Sequence, residues 1–409
     1  MKTGAKFGLE RMQILMAALG NPDRGQRFIH VAGTNGKGST CAMIANSFVQ
    51  AGFRTGLYTS PHLIAPTERI QIGGDPITES EFAAAFQTVH QTVEMLLRTE
   101  RLDAHPSYFE TVTAMALLIF KERCDISVVE VGLGGRLDAT NIITPQLCVI
   151  TPISYDHESF LGNTVALIAS EKAGILKPGV TVITANQLKD AEAIILERAR
   201  QLNCKVIRSA EASVTDIEVM PHASAFRLDG IRYECGLAGR HQVENATTAV
   251  LACREMGLET SAIQQGLKWV SWPGRLESVS FHPDFVLDGA HNPAGAAALA
   301  GYIREFCSSR PVWLVYGVMR DKAIEEVTGE LFPLADRLIL TAPNYPRAVR
   351  PEAILALSNH PNATVAQTVP QAIEIARTAP PDATVFFTGS LFLVAEARAQ
   401  LTREVSPVS

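Results

Sequence analysis

This chain has no apolar run long enough to cross a bilayer. The longest uninterrupted one, "AMALLIF" from Ala114 to Phe120, falls far short of the roughly 20 residues a membrane helix needs. The opening stretch "MKTGAKFGLERMQ" lacks the apolar centre of a secretory leader. No Lys/Arg block stands out and the net charge is −6, which argues against nucleic acid or an anionic membrane as the main partner. CxxC pairs are absent. Seven cysteines stand apart at positions 41, 124, 148, 204, 235, 253 and 307, and an odd, scattered set reads as reduced thiols of a cytoplasmic protein, mostly packed in the core. There is no fixed-period repeat or low-complexity tract, which excludes solenoids and biased tails.

What is present is foldable. The 409 residues are 47% apolar and 19% charged, a globular composition and too long for one ordinary core. Strand-like segments at 28–32, 55–58, 126–131, 147–151 and 180–184 alternate with helical patterns. One of these, "TESEFAAAFQTVHQTVEMLL", opens on Thr78 with Glu81 three residues on, a capping-box signature. Near-continuous Val/Ile runs between amphipathic helices predict a mostly parallel sheet covered on both faces. Residues 205–236 form short alternating runs broken by turns, which predicts a small antiparallel β insertion. Two helices follow near 242–256 and 260–268. After the Pro/Gly punctuation of "SWPGRLESV" a second α/β series begins, with strands at 285–287, 312–316, 337–340 and 384–387. The expected fold is therefore a P-loop α/β domain with a β insertion over 1–273, then a Rossmann-like α/β domain over 274–409.

Two stretches echo one another. "FIHVAGTNGKG" and "FVLDGAHNPAG" are each a strand, a Gly/Asn turn and a helix start. Ligands of open α/β sheets sit beyond the strands' carboxyl ends, so two such ends facing each other predict an interdomain cleft. In the first, residues 33–40 read as a phosphate cradle. Glycines let backbone N–H groups approach an anion at the helix's positive end, Lys37 reaches the outer phosphates, and Ser39 or Thr40 meets Mg²⁺. The strict G-x-x-x-x-G-K-[ST] spacing is not met, because Gly38 separates Lys37 from Ser39; a plain Gly-rich turn is the competing reading. Glu130, at the end of a buried strand, can hold Mg²⁺ as a Walker-B acid does, or be a surface residue. Asp156 and His157 follow the next strand. Lys172, on local sequence alone, is an ordinary helix-surface lysine.

"HVAGTNGKGST", "TSPHL…ERI", "VVEVGLGGRLDATN", "ITPISYDH", "EKAGILKPG", "GRHQVENA", "PGRLE" and "LDGAHNPAG" occur in this order. Together they resemble the folate branch of the Mur ligase family, the dihydrofolate and folylpolyglutamate synthases, from about residue 6 to "FFTGSLFLVAEAR". Murein ligases carry a UDP-binding domain of roughly a hundred residues ahead of the loop; only 32 residues precede Gly33, so none is expected here. The resemblance implies ATP-dependent ligation of L-glutamate to a dihydropteroate or folate carboxylate, by one protein performing both reactions or by a folylpolyglutamate synthase alone. A P-loop NTPase switch is the alternative from another class. The resemblance also implies roles. Thr34, Asn35, Gly36, Lys37, Gly38 and Ser39 would wrap the ATP phosphates, and Asn245, Arg275 and Asp288 would contact ATP. Ser60 and Glu130 would bind one Mg²⁺, and Glu130 and His157 a second, helped by a carbamate on Lys172. His291 would lie near the incoming glutamate and the acyl phosphate. Phe109 and Glu110 of "SYFE", with Leu137, Asp138 and Ala139, would form the pterin-side pocket, although Phe109 also suits the opening of a buried helix. "APT" at 65–67 departs from the Phe/Val-Asn pair frequent in relatives, and "GSLFLV" lacks a histidine found in some bifunctional ones. A monomer acting on small molecules is expected.

Overall fold

The computed structural model describes residues 8–320 and 322–402; the first seven residues of the stretch read for a leader lie outside them. The larger sheet has eight strands: β1 Phe28–Ala32, β2 Thr55–Tyr58, β3 Ile70–Ile72, β4 Asp75–Pro76, β5 Ile126–Glu130, β6 Leu147–Ile150, β7 Thr181–Thr184 and β8 Val206–Arg208. Their spatial order is β4-β3-β2-β5-β1-β6-β7-β8. All pairings are parallel except β2–β3 and β3–β4.

Alternation across the pleat sorts the core. Ile29 and Val31 join Leu57 and Val128 under the helices Lys37–Gln50, Arg240–Glu255 and Thr260–Lys268. Phe28 faces the other way, with Tyr58 and Val129, against the helices Glu10–Ala18, Glu79–Arg98 and Tyr108–Arg123. Both sheet faces are covered, which is why every residue of β1 is apolar or fully buried. Thr78 caps its helix as its sequence predicts: its hydroxyl accepts from Glu81 N at 3.2 Å, and Glu81 Oε2 accepts from Thr78 N at 2.7 Å.

A three-stranded antiparallel sheet follows: β9 Val214–Met220, β10 Ala223–Leu228 and β11 Ile231–Cys235. The predicted insertion thus begins later than expected. Val206–Arg208 pairs in parallel with β7 as the last strand of the large sheet, because its main chain continues the ladder despite its alternating side chains. The third sheet has six strands: β12 Glu277–Phe281, β13 Asp284–Leu287, β14 Val312–Tyr316, β15 Arg337–Leu340, β16 Ala363–Val365 and β17 Thr384–Thr388, in the order β12-β13-β17-β14-β15-β16. Only β12–β13 is antiparallel. The short strands β3, β4, β12 and β16 escape the sequence pattern, being two to five residues long and largely half-exposed. All seven cysteines are unpaired. Among the described residues no helix is long and apolar enough to cross a membrane.

Candidate active site

The carboxyl ends of β1, β2, β5 and β6 and the corner after β13 open onto one cavity of about 1330 Å³. The Gly-rich loop read as a candidate phosphate cradle forms its floor. Gly33 (φ 150°) and Gly36 (φ 80°) hold conformations that side chains disfavour. A Cβ at Gly33 would strike Thr151 Oγ1, and one at Gly36 would strike Asn245 Oδ1. The loop is pinned from beneath: Thr34 N and Asn35 N donate to Pro152 O at 3.0 and 3.2 Å. Gly36 is the N-cap of helix Lys37–Gln50 and supplies no side-chain cap, so the first N–H groups of the helix stay open toward the cavity. Lys37 Nζ donates to Thr34 O within its own loop at 3.1 Å. Behind it, Gln242 Nε2 donates to Ser39 Oγ at 3.3 Å, and Asn245 Nδ2 to Gln242 Oε1 at 3.0 Å.

Glu130 is buried, not a surface residue: only 4% is exposed, and Oε2 accepts from Ser60 N at 3.1 Å. Burial raises its pKa, opposed by Lys37, the Ser60 N–H and Arg275. Lys172 corrects its local reading more sharply. It is 5% exposed, and its Nζ donates to Gly33 O at 2.7 Å. Loss of hydration, with the charge of Lys37, lowers its pKa to about 7. The helix Val165–Ala173 turns this residue inward beneath the phosphate loop, so the local pattern misplaced it.

His157 sits in the left-handed region (φ 53°), and burial lowers its pKa to about 4. Its neighbour Asp156 bridges the two halves of the chain. Oδ1 lies 2.7 Å from Lys322 Nζ, and Oδ2 lies 3.5 Å from His291 Nε2 and 3.3 Å from Asn292 Nδ2. Burial works against the charge, but the hydrogen bond and charge of His291, with Lys322 and His157, hold the carboxyl well below its usual range. Asn292 Nδ2 also donates to Asn35 Oδ1 at 2.9 Å, tying the phosphate loop to the opposite wall. Asp288 takes backbone donors on both oxygens, Leu276 N at 3.1 Å and Ala290 N at 2.9 Å. It thereby fixes the corner that carries His291, while Arg275 lines the cavity beside it.

The pterin-side candidates form the wall beyond Glu130. Phe109 packs over Gly132, where a Cβ would meet its ring. Asp138 is buried, which raises its pKa; it accepts from Leu133 N and Thr140 N, each at 2.9 Å. Glu110 closes a capping box with Ser107 and lies 3.2 Å from Arg11 Nη1. Leu137 and Ala139 line the same wall. Sequence reasoning missed Lys322, Asn292, Gln242 and Arg69; for Arg69 the "ERI" motif was the available signal. Among the described residues no three or more His, Cys, Asp or Glu side chains form a metal cluster.

An uncapped Gly-rich helix start facing a second α/β body across a cleft has the form of the two-part P-loop proteins. Within that class the chain belongs to the Mur ligase family: the Mur ligase middle domain matches residues 31–253, and the Mur ligase, glutamate ligase domain matches 274–391. It is 35% identical to the dihydrofolate synthase/folylpolyglutamate synthase of Bacillus subtilis, over 98% of this chain and 96% of that protein. A Mycobacterium tuberculosis folylpolyglutamate synthase complexed with ADP and AMPPCP superposes with a TM-score of 0.91 at 33% identity, covering 98% of this chain and 96% of that one. Escherichia coli FolC in complex with DHPP and ADP superposes with a TM-score of 0.87 at 32% identity, covering 99% and 96%.

Proposed function

We propose that the protein is an ATP-dependent ligase that joins L-glutamate to the carboxylate of a pteroate or folate acceptor, using both 7,8-dihydropteroate and tetrahydrofolate. The observation that carries this reading is convergence: an uncapped phosphate loop, a buried Glu130 and a buried Lys172 share one cleft with His291 and Asp156. The acceptor carboxylate attacks the γ-phosphorus of ATP and ADP leaves. The α-amino group of glutamate then attacks the acyl carbon, an amide forms and phosphate departs. Thr34 to Ser39 hold the ATP phosphates, with Lys37 on the outermost, and Asn245, Arg275 and Asp288 shape the nucleotide side. Acyl phosphates hydrolyse, so the Asn35–Asn292 and Asp156–Lys322 links favour a closed, water-poor cleft. Phe109, Glu110, Leu137, Asp138 and Ala139 line the pterin side, and His291 faces the incoming amine. The division into domains at 273/274 follows the same reading.

The donor set fits Mg²⁺. Glu130 and the Ser60 hydroxyl are hard oxygen donors, and a sparse protein set suits an ion that keeps waters and phosphate oxygens. Bound there, Mg²⁺ supplies neutralisation of phosphate charge. A second ion beside Glu130 and His157 fits less well next to a bare Lys172 ammonium. Its pKa of about 7 leaves a neutral amine that can attack carbon dioxide, forming an N–C bond and losing a proton; the resulting carbamate offers oxygens in place of a cation. Carbon-13 NMR of protein equilibrated with labelled bicarbonate should show one carbamate signal that disappears in Lys172→Met. A spectrum without it removes the carbamate.

The protein is read as a cytoplasmic monomer acting on small molecules, which light scattering of the purified chain tests for the monomer. The decisive assay is phosphate release with Mg-ATP and L-glutamate, comparing 7,8-dihydropteroate with tetrahydrofolate. Release on both is expected. Release on tetrahydrofolate alone leaves a monofunctional folylpolyglutamate synthase, and glutamate-independent release points to an NTPase switch.

A further inference from the structure

Arg69 is an arginine in search of an anion. It is 9% exposed and lines the cavity, yet among the described residues no carboxylate pairs with it. Its neighbours are committed elsewhere. Glu68 accepts from the backbone N–H groups of Leu63, Ile64 and Ala65 at 2.7 to 3.0 Å. Glu110 is held by Ser107 N at 2.7 Å and by Arg11. Arg69 itself is fixed on two sides: Nε donates to His62 Nδ1 at 2.8 Å, and Cζ lies 5.3 Å from the Tyr108 ring centroid. Among the described residues its two terminal nitrogens make no hydrogen bond. A guanidinium orients its remaining fork as a planar double donor that matches a carboxylate, and these two nitrogens are not among the buried polar atoms left without a partner: they face the cavity that Arg69 lines, where a ligand carboxylate can reach them.

Position along the sheet says which carboxylate. The Arg69 carbonyl accepts from Thr59 N at 3.1 Å, and Tyr58 pairs with Ile70, so Arg69 stands at the same sheet edge as Ser60. In the order β3-β2-β5-β1 it is two strand spacings, about 10 Å, from the strand ending in Glu130, a gap that an arginine side chain and a short acceptor chain close together. The reacting carboxyl must sit near Glu130 and the phosphate loop. In 7,8-dihydropteroate that carboxyl belongs to the benzoate ring and the molecule has no other. In a folate it is the γ-carboxyl of a glutamate, and an α-carboxylate lies a few bonds away.

Resting on the ligase reading above, we propose that Arg69 is a specificity-determining residue: its terminal nitrogens bind the α-carboxylate of a glutamylated acceptor and meet no anion on dihydropteroate. His62 and Tyr108 position the guanidinium. The cleft thus accepts an unglutamylated acceptor through its pterin wall alone and gains an ionic anchor once the first glutamate is in place.

The test compares wild type, Arg69→Gln and Arg69→Lys on three acceptors: dihydropteroate, tetrahydrofolate and tetrahydrofolate with its α-carboxylate converted to an amide. Arg69→Gln should raise the KM for tetrahydrofolate about ten- to a hundredfold, the range for losing a hydrogen bond to a charged group. The KM values for ATP and dihydropteroate should change less than about twofold against the same scale. Wild type should discriminate against the α-amide by a similar factor, Arg69→Gln should not, and Arg69→Lys should recover part of the loss. The α-amide comparison within wild type needs no variant, so a misfolded Arg69→Gln leaves the proposal testable. Equal KM rises on both natural acceptors, or wild type indifferent to the α-amide, overturns it. Wild type inactive on every acceptor overturns the ligase reading instead.

Discussion

The corner after β1 and the corner after β13 follow one pattern, strand then Gly/Asn turn then helix, yet they present opposite surfaces. After β1 the helix Lys37–Gln50 starts on Gly36, which offers no side chain to its first N–H groups. After β13 the helix Pro293–Phe306 starts on Asn292, whose Oδ1 accepts from Gly295 N at 2.9 Å, and its first residue is a proline without an N–H. One helix end is left open and the other is closed. An anion needs unsatisfied donors at the positive end of a helix, and only the first corner offers them, as the proposed role of a phosphate cradle requires. The second is a rigid mount that holds His291 and Asn292 toward it. The difference between them rests on Gly36 against Asn292 and on Pro293.

The comparison breaks most readily at Lys37. Lys37→Ala should lower phosphate release about 10²- to 10³-fold, the range for losing one preorganised charge-stabilising donor. Its melting temperature should barely move, because among the described residues Nζ bonds only within its own loop. A variant with near-normal turnover would mean the open corner is not the phosphate site.

A smaller effect separates the two sheets by pH. β1 carries His30, fully buried, its Nε2 2.9 Å from Thr140 Oγ1. Burial, with Lys177, lowers its pKa from 6.5 to about 3. The folded state therefore refuses a proton that the unfolded chain accepts below 6.5. Its contribution is intact above pH 6.5 and is lost as pH falls from 6.5 toward 3, on the order of a few kcal/mol over the whole window. β13, with Asp284, Phe285, Val286 and Leu287, has no such histidine. Urea melts of wild type and His30→Gln at pH 7.5 and 5 should show a steeper acid loss in wild type; parallel slopes would remove His30 as the cause.

The smallest effect tests the mount. Asn292→Ala removes a cap worth about 1 kcal/mol and cuts the links to Asn35 and Asp156. Calorimetry should register a modestly lower melting temperature, with ATP affinity nearly kept. A loss of ATP affinity as large as that of Lys37→Ala would put the anion at the wrong corner.

Much of this was legible in the chain. Periodicity placed β1, β2, β14 and β15 to the residue, because a fully buried strand in a parallel sheet must be apolar on both faces. Thr78 and Glu81 announced their capping box, since both partners lie within one turn. The short strands β3 and β16 were not legible: three residues of half-buried chain carry no period. Val206–Arg208 was assigned to the wrong sheet because pairing partners are chosen by the ladder and not by the local pattern.

The sequence by itself determined the alternation of most strands and helices along the chain, the Gly-rich turn after β1 and the second α/β series, all of which depend on neighbours a few residues apart. Only the tertiary structure decided the burial of Lys172 on Gly33 O, 139 residues away, the Asp156–Lys322 bridge across 166 residues, and the setting of Arg69 between His62 and Tyr108 with no carboxylate beside it among the described residues. Charge, proton affinity and partner choice in a side chain are set by what surrounds it, and those surroundings come from elements that meet only when the sheets assemble.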